Sequence, residues 1–379
     1  MAPSVCVAAR TFNYPRAGGH LWVYLNWVRG LQALGCEVLW LEAVNPEAPA
    51  AVLAKRLELL ERRLGAFGLG GSLVLCSATD EPLVRPDVSG LEAVSTLDRL
   101  VGVDLLLDFV YDLPHAVLKL FRRTALLDID PGLLQHWIAA GHLRIAPHDA
   151  YFTTGETVGA PGSRIPDCGL RWEHVRPCVS LTEWRPHPAP SDAPFTTVSS
   201  WYMDEWVDTP DGGYVNDKRS GFLPYLDLPS RTSQPLELAL HLDGADPEQR
   251  MLEEHGWRVL RSRDVAGDPD SYRDYIRGSR AEFSCAKPSC GRLQNAWISD
   301  RTLCYLASGK PAVVEHTGPS RFLPEHEGLF RFRDVEQAAT CLEAVAADYD
   351  RQCELARALA AEFFDASASA ERILSATCP

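Results

Sequence analysis

Asn295-Ala-Trp-Ile-Ser-Asp-Arg-Thr-Leu-Cys-Tyr-Leu-Ala-Ser-Gly-Lys-Pro-Ala-Val-Val-Glu-His-Thr-Gly318 parses as one helix-to-strand unit. Ser299 is an N-cap, since its hydroxyl can accept a backbone N–H that the first helical turn leaves unpaired. Leu303, Leu306 and Ala307 repeat at the three- and four-residue spacing of a short amphipathic helix. Gly309 is a C′ stop with Lys310-Pro311 behind it, and residues 311–314 form a short buried strand ending in the turn Thr317-Gly318-Pro319. Aligned peptide dipoles at the helix start, next to a guanidinium, favour an anion. The unit therefore predicts a phosphate site made by Ser299, Asp300, Arg301 and Thr302, with Thr317 and Gly318 approaching from the turn. Each also has a plainer role: Ser299 as a cap, Arg301 paired with Asp300, and Gly318 as a tight turn.

Outward from this unit the chain alternates strand and helix. A run over 4–9 is followed by a turn-rich loop, an apolar helix over about 21–34 closed by Gly35, and a strand over 36–41. That is a βαβ unit, which favours a right-handed crossover and a parallel sheet. Ligands bind beyond the carboxyl ends of such strands, which puts Gly18, Gly19 and His20 at the mouth of a cleft. Further strands are predicted at 72–76, 103–110, 124–129 and 149–153, with helices at 50–64 and 114–122. Residues 184–194 carry four prolines and read as a semi-rigid linker. A second α/β series follows, with strands at 195–200, 236–241, 257–260 and 281–286, helices at 246–255 and 268–277, a weakly signalled helix at 221–226, and a long helix from 349 to 364. The expected architecture is α/β: two Rossmann-like domains facing a cleft, at 1–184 and 195–350, joined by linker 185–194 and followed by a helical segment at 351–379.

At 379 residues the chain suits two domains of ordinary size. Its net charge of -14 argues against a nucleic-acid or anionic-membrane partner, both of which need a positive footprint. The 11 cysteines form no paired framework, and Cys285 and Cys290 lack a second pair to complete a zinc site, so no metal is expected. No run reaches the ~20 apolar residues of a membrane span. With no signal-peptide pattern at the start, the expected location is cytoplasmic.

The wording of the opening stretch, with Thr317-Gly-Pro-Ser-Arg-Phe-Leu-Pro and Glu327-Gly-Leu, resembles the C-terminal domain of bacterial glycosyltransferases of the GT-B fold. Similar wording runs through the first half in Leu127-Asp-Ile-Asp-Pro-Gly132, Tyr151-Phe-Thr-Thr-Gly-Glu156 and Ile165-Pro-Asp-Cys-Gly-Leu-Arg-Trp172, and continues in Phe195-Thr-Thr-Val-Ser-Ser-Trp201. The resemblance implies transfer of a sugar from a nucleotide-diphosphate sugar to a small molecule or glycan, with no cofactor besides that co-substrate. It also implies that Lys218 joins Arg301 on the diphosphate, and that a histidine or acid of the first domain acts as base. By position His20 is the first candidate and Asp130 the second; Glu156 is a candidate acceptor contact. Trp201, Trp206 and Trp297 are candidates to stack a base or sugar, or to pack in the core.

Asp128 and Asp130 also mimic the metal-binding Asp-x-Asp of the GT-A fold, a reading disfavoured by the Pro-Gly turn behind them. One departure stands out. Many retaining GT-B enzymes place two glutamates eight residues apart where this chain has Ala296 and Cys304, so the ribose contact must come from elsewhere. Rival readings are an epimerase or hydrolase on the same fold and a non-catalytic sugar-nucleotide binder. Decoration of natural products is an expectation from analogy alone.

Overall fold

The computed structural model describes residues 2–79, 81–203, 205–207, 212–242 and 246–378, without the side chains of Trp206 and His326. The first half builds β1 (Ser4–Ala9), β2 (Glu37–Val44), β3 (Leu73–Ser77), β4 (Leu105–Asp108), β5 (Arg123–Asp128), β6 (Ala150–Thr153) and β7 (Trp172–His174). They pair in the order β3-β2-β1-β4-β5-β6-β7, every pair parallel. β1 is apolar and buried from Val5 to its end, as a strand covered on both faces must be.

The second half builds β8 (Phe195–Ser200), a small hairpin of β9 (Trp206–Val207) and β10 (Tyr214–Val215), β11 (Leu236–His241), β12 (Arg258–Arg261), β13 (Ala281–Ser284), β14 (Ala312–Glu315), β15 (His326–Glu327) and β16 (Leu329–Phe332). Its main sheet runs β12-β11-β8-β13-β14-β16-β15, parallel except for the short edge strand β15. Each half is thus doubly wound. The strand order reverses beside β1 and beside β8, and both switch points open toward the junction.

The halves share one apolar seam. Trp22, on the helix Gly18–Ala33, meets Trp184 edge-on with ring centroids 4.8 Å apart, and Trp184 meets Tyr272 of the second half at 6.1 Å. Trp22 also donates Nε1–H to the carbonyl of Pro269 at 2.8 Å. The proline-rich stretch packs down as well, with His187 N–H donating to Ser308 O at 3.1 Å. The last helix, Ala366–Thr377, returns to the first half and lies on Gly18–Ala33, where a Cβ on Gly30 would stand 2.2 Å from the Ala366 carbonyl oxygen.

The helix expected over 114–122 is a single turn, His115–Leu118. The weakly signalled helix begins earlier than expected, at Lys218–Phe222, because Asp217 caps it by accepting from Ser220 N–H at 2.8 Å. The helices Pro288–Leu293 and Val335–Ala347 are not among the expected elements, although Pro288 at the first helical position and Asp334 as N-cap, accepting from Gln337 N–H at 2.8 Å, mark their starts.

Candidate functional site

The helix Asp300–Ala307 starts where expected, with the Ser299 hydroxyl accepting from Arg301 N–H at 3.3 Å. Its N-terminus lies beside the carboxyl ends of β13 and β14. There Lys218, residues 284–286, residues 297–299, Thr302, Val314, Glu315 and Thr317 line a small pocket of about 20 Å³, room for one water-sized group. Four of the expected donor residues therefore come together: Lys218, Ser299, Thr302 and Thr317. The Lys218 ammonium is buried and lies 5.9 Å from the Trp297 ring centroid. Its one hydrogen bond among the described residues goes to Cys285 O at 2.5 Å, so two of its three N–H groups remain for a ligand. Burial, reinforced by Arg301, pushes its pKa down to about 8. Thr317 itself spends its hydroxyl on Trp297 O at 2.6 Å, which braces the pocket wall.

Arg301 corrects the expectation built on it. Its guanidinium turns away from the helix start into the sheet, donating from Nε to Glu282 at 2.8 Å, from Nη1 to Val198 O at 3.0 Å, and from Nη2 to the Ser284 hydroxyl. Its ion-pair partner is Glu282, not Asp300. The buried carboxylate of β13 demands a partner, and among the described residues its ion pair is with Arg301. Arg301 thus lies one layer beneath the pocket, fixing Ser284 of the floor. Asp300 is half-buried at the helix start, and its carboxyl is pushed up to about 6 by burial and by the Asp130 and Glu282 charges, against the pull of Arg301.

Opposite stands the first half. Asp130, exposed just beyond β5, acts electrostatically on His20 of its own half and on Glu205, Lys287 and Asp300 across the cleft. Its neighbour Pro131 receives Asn295 Nδ2–H at 2.8 Å, so the loop carrying Trp297 is tied to the loop carrying Asp130. Gln294 and Ala296, at φ 53° and 55°, wrap that loop around Asn295. His20 Nε2 lies 2.9 Å from Arg10 O, and its ring sits between Tyr14 and Tyr24. A carbonyl only accepts, so Nε2 carries the hydrogen and Nδ1 keeps a lone pair. Burial lowers the histidine's pKa. Asp128 is a hub, accepting from Asp130 N–H, Gln135 Nε2–H and Thr153 Oγ–H at 2.9, 2.7 and 2.8 Å.

Other expectations are corrected by what these side chains touch. Gly18 and Gly19 face no ligand: a Cβ on Gly18 would stand 2.0 Å from Asp268 O, and one on Gly19 2.5 Å from the Tyr272 ring. They are glycines because the helix start butts against the second half. Glu156 has no free oxygen for an acceptor, since it takes Arg321 N–H and Nε–H at 2.8 Å each and Ser320 Oγ–H at 2.6 Å. Gly318, at φ 139°, sits where a Cβ would meet Gln294 O at 2.6 Å, so backbone packing explains it. Trp201 is fully buried, with Nε1–H on Glu248 at 3.1 Å, and is core. The Trp206 side chain lies outside the described residues. Cys304 is buried against Asn26, and with Ala296 it leaves no carboxylate at the two positions where many GT-B enzymes carry one. The sequence reading missed Asn295, which bonds across the cleft to Pro131 O, and the ion pair of Lys287 with Glu205 at 2.8 Å, because neither partner is close enough in sequence to show in a local pattern.

No family model and no curated protein sequence matches the chain. Solved structures do match along nearly its whole length. Anabaena HepE in complex with UDP-glucose aligns at TM-score 0.57 and 13% identity, covering 98% of this chain and 98% of that one. An alpha-glucosyltransferase in complex with UDP aligns at 0.59 and 11%, covering 98% and 99%. Sucrose-phosphate synthase from Thermosynechococcus elongatus aligns at 0.55 and 11%, covering 99% and 98%. With two doubly wound sheets meeting at a cleft and these neighbours matching end to end, the chain has the GT-B fold of glycosyltransferases.

Proposed function

We propose that the protein transfers a sugar from a nucleotide-diphosphate donor to an acceptor hydroxyl, on a small molecule or glycan, in the cleft between its halves. The Lys218 pocket carries this reading: a buried ammonium with N–H groups to spare, beside a helix N-terminus, opposite the exposed Asp130. As the glycosidic bond to the diphosphate breaks, the leaving group gathers negative charge. A fixed cation there stabilises the transition state more than the ground state. Two neighbours in fold are complexes with UDP-glucose and UDP, which supports a nucleotide sugar as donor class.

On the acceptor side His20 takes the hydroxyl proton at Nδ1. Its lowered pKa keeps the imidazole neutral near pH 7, and Asp130 stabilises the imidazolium as it forms. We take the reaction to be metal-independent, because Asp128 spends its oxygens on Asp130 N–H, Gln135 and Thr153 and does not pair with Asp130 as a cation clamp. The test is a nucleotide-release assay across UDP-, GDP- and TDP-sugars with and without hydroxyl acceptors. Acceptor-dependent release is expected. Release that needs no acceptor would move the reading to a hydrolase or epimerase, and inertness across the panel would refute it.

A further inference from the structure

A cavity of about 760 Å³ lies beside the Lys218 pocket and shares Glu315 with it. It opens at the carboxyl ends of β14 and β16, where α/β sheets hold their ligands. Its rim includes His316, Ser320, Glu325 and Arg333. Three basic side chains converge there on a single carboxylate. Glu325 stands 3.4 Å from Arg331 Nη1, 3.7 Å from His316 Nε2 and 3.8 Å from Arg333 Nη1. All three separations exceed the usual N–H···O range, so the carboxylate hovers among two guanidinium groups and an imidazole without closing on any of them. Glu325 is itself 44% exposed, whereas the Arg331 side chain is only 3% exposed.

Arg331 sits deep because its Nη2 donates to Gly318 O, which fixes the guanidinium against the turn that walls the cavity. That use leaves Nη1 facing a loosely held, solvent-facing partner. A buried guanidinium is a costly group unless fully paired, and a carboxylate at this distance pairs it incompletely. His316 accepts Gly318 N–H at Nδ1 (3.2 Å), so Nε2 carries the hydrogen and points at Glu325 as a donor.

We propose that this cavity binds a phosphate group of a substrate, which displaces the Glu325 carboxylate and closes on Arg331, Arg333 and His316. A tetrahedral dianion offers three acceptor oxygens to three donors that a single carboxylate cannot satisfy together. The remaining acids do not block it. Glu315 is held by Ala286 N–H at 2.8 Å, and burial pushes its pKa up. Glu156, which also acts on Arg331, is already held by Arg321 and by the Ser320 hydroxyl. Three free oxygens and two charges mark a phosphomonoester, as on a phosphorylated sugar, rather than the donor's diphosphate, whose phosphates each offer two free oxygens and one charge. That the phosphorylated sugar is the acceptor rests on the glycosyl-transfer reading, whereas the anion site itself does not.

Calorimetric titration of the full chain with pyrophosphate, UDP-glucose and a hexose 6-phosphate tests it, using wild type, Glu325→Gln and Arg333→Ala. Both substituted side chains are well exposed, so the fold should tolerate the changes. Glu325→Gln should tighten at least one ligand by about tenfold, and Arg333→Ala should weaken the same ligand by about as much. An effect on the hexose phosphate is expected; one confined to UDP-glucose would place the anion on the donor and contradict a phosphomonoester site. Hexose phosphate binding without any nucleotide-sugar binding would support the anion site while sinking the transferase reading. Affinities for all three ligands within about twofold of wild type in both variants would overturn the proposal, as would failure of the wild type to bind any of them.

Discussion

Lys218 and Arg301 are two cations in adjoining layers, and their substitutions should separate cleanly. Replacing Lys218 by Met removes a charge whose one hydrogen bond among the described residues is to Cys285 O, and keeps the aliphatic stem against Trp297. Folding should survive, while turnover falls by about 10²–10³, the usual effect of deleting one preorganised donor at a developing charge. Thermal melting and steady-state nucleotide release on the same preparation check both halves of that statement. Arg301→Met does the opposite kind of damage. It strands Glu282 inside the sheet, at a cost of about 3–5 kcal/mol, and should lower the melting temperature before any effect on donor binding is reached. Adding Glu282→Gln should recover much of that loss. A double variant as unstable as the single one would contradict the ion pair as the reason for Arg301.

At the scale of single elements, the loop whose Arg10 carbonyl holds His20 is pinned by a carboxylate beneath it. Glu42 on β2 accepts Thr11 N–H and Phe12 N–H, the Thr11 hydroxyl and Trp40 Nε1–H. Burial outweighs those donors and pushes its pKa up from 4.5 to about 7. A carboxyl whose folded pKa is raised favours the folded state while protonated. Its contribution is complete below the unfolded value and fades as pH climbs through the folded one. Stability should therefore fall between about pH 4.5 and 7, by on the order of 3 kcal/mol from this group. Asp128, raised from 3.8 to about 7 by burial, adds a change of the same sign. Chemical denaturation across that range should show the slope, and Glu42→Gln should flatten it; an unchanged slope would exclude Glu42 as its source.

Elements of this kind were also where the sequence spoke most clearly. The cap, apolar spacing and glycine stop that define Asp300–Ala307 are all local, so its start and end were legible. The direction of Arg301 was not, because it depends on Glu282, 19 residues away on another strand. Nor was the role of Glu156, whose partner Ser320 is 164 residues distant. Spacing gives a face of a helix; it does not give what that face meets.

On the scale of the whole molecule, the halves are held at both ends of the cleft. On one side Gly18 and Gly19 abut residues 266–272; on the other, Glu156 grips Ser320 and Arg321 while Thr157 Oγ–H donates to Gln294 O at 3.0 Å. Gly18→Ala places a methyl 2.0 Å from the Asp268 carbonyl oxygen, a backbone atom with nowhere to go. It should wedge the halves apart, raising the radius of gyration in small-angle scattering and reducing turnover while leaving each sheet intact. Glu156→Gln should loosen the other side more gently, visible as weaker substrate binding with little change in melting temperature. A Gly18→Ala protein with unaltered scattering and activity would show that this contact does not set the closed arrangement. The most direct measurement for the central claim is titration of wild type and Lys218→Met with the nucleotide sugar that the release assay identifies. The account predicts that the wild type binds it and that the variant, equally folded, loses at least about tenfold in affinity; equal affinity in the two proteins would contradict a diphosphate held at Lys218.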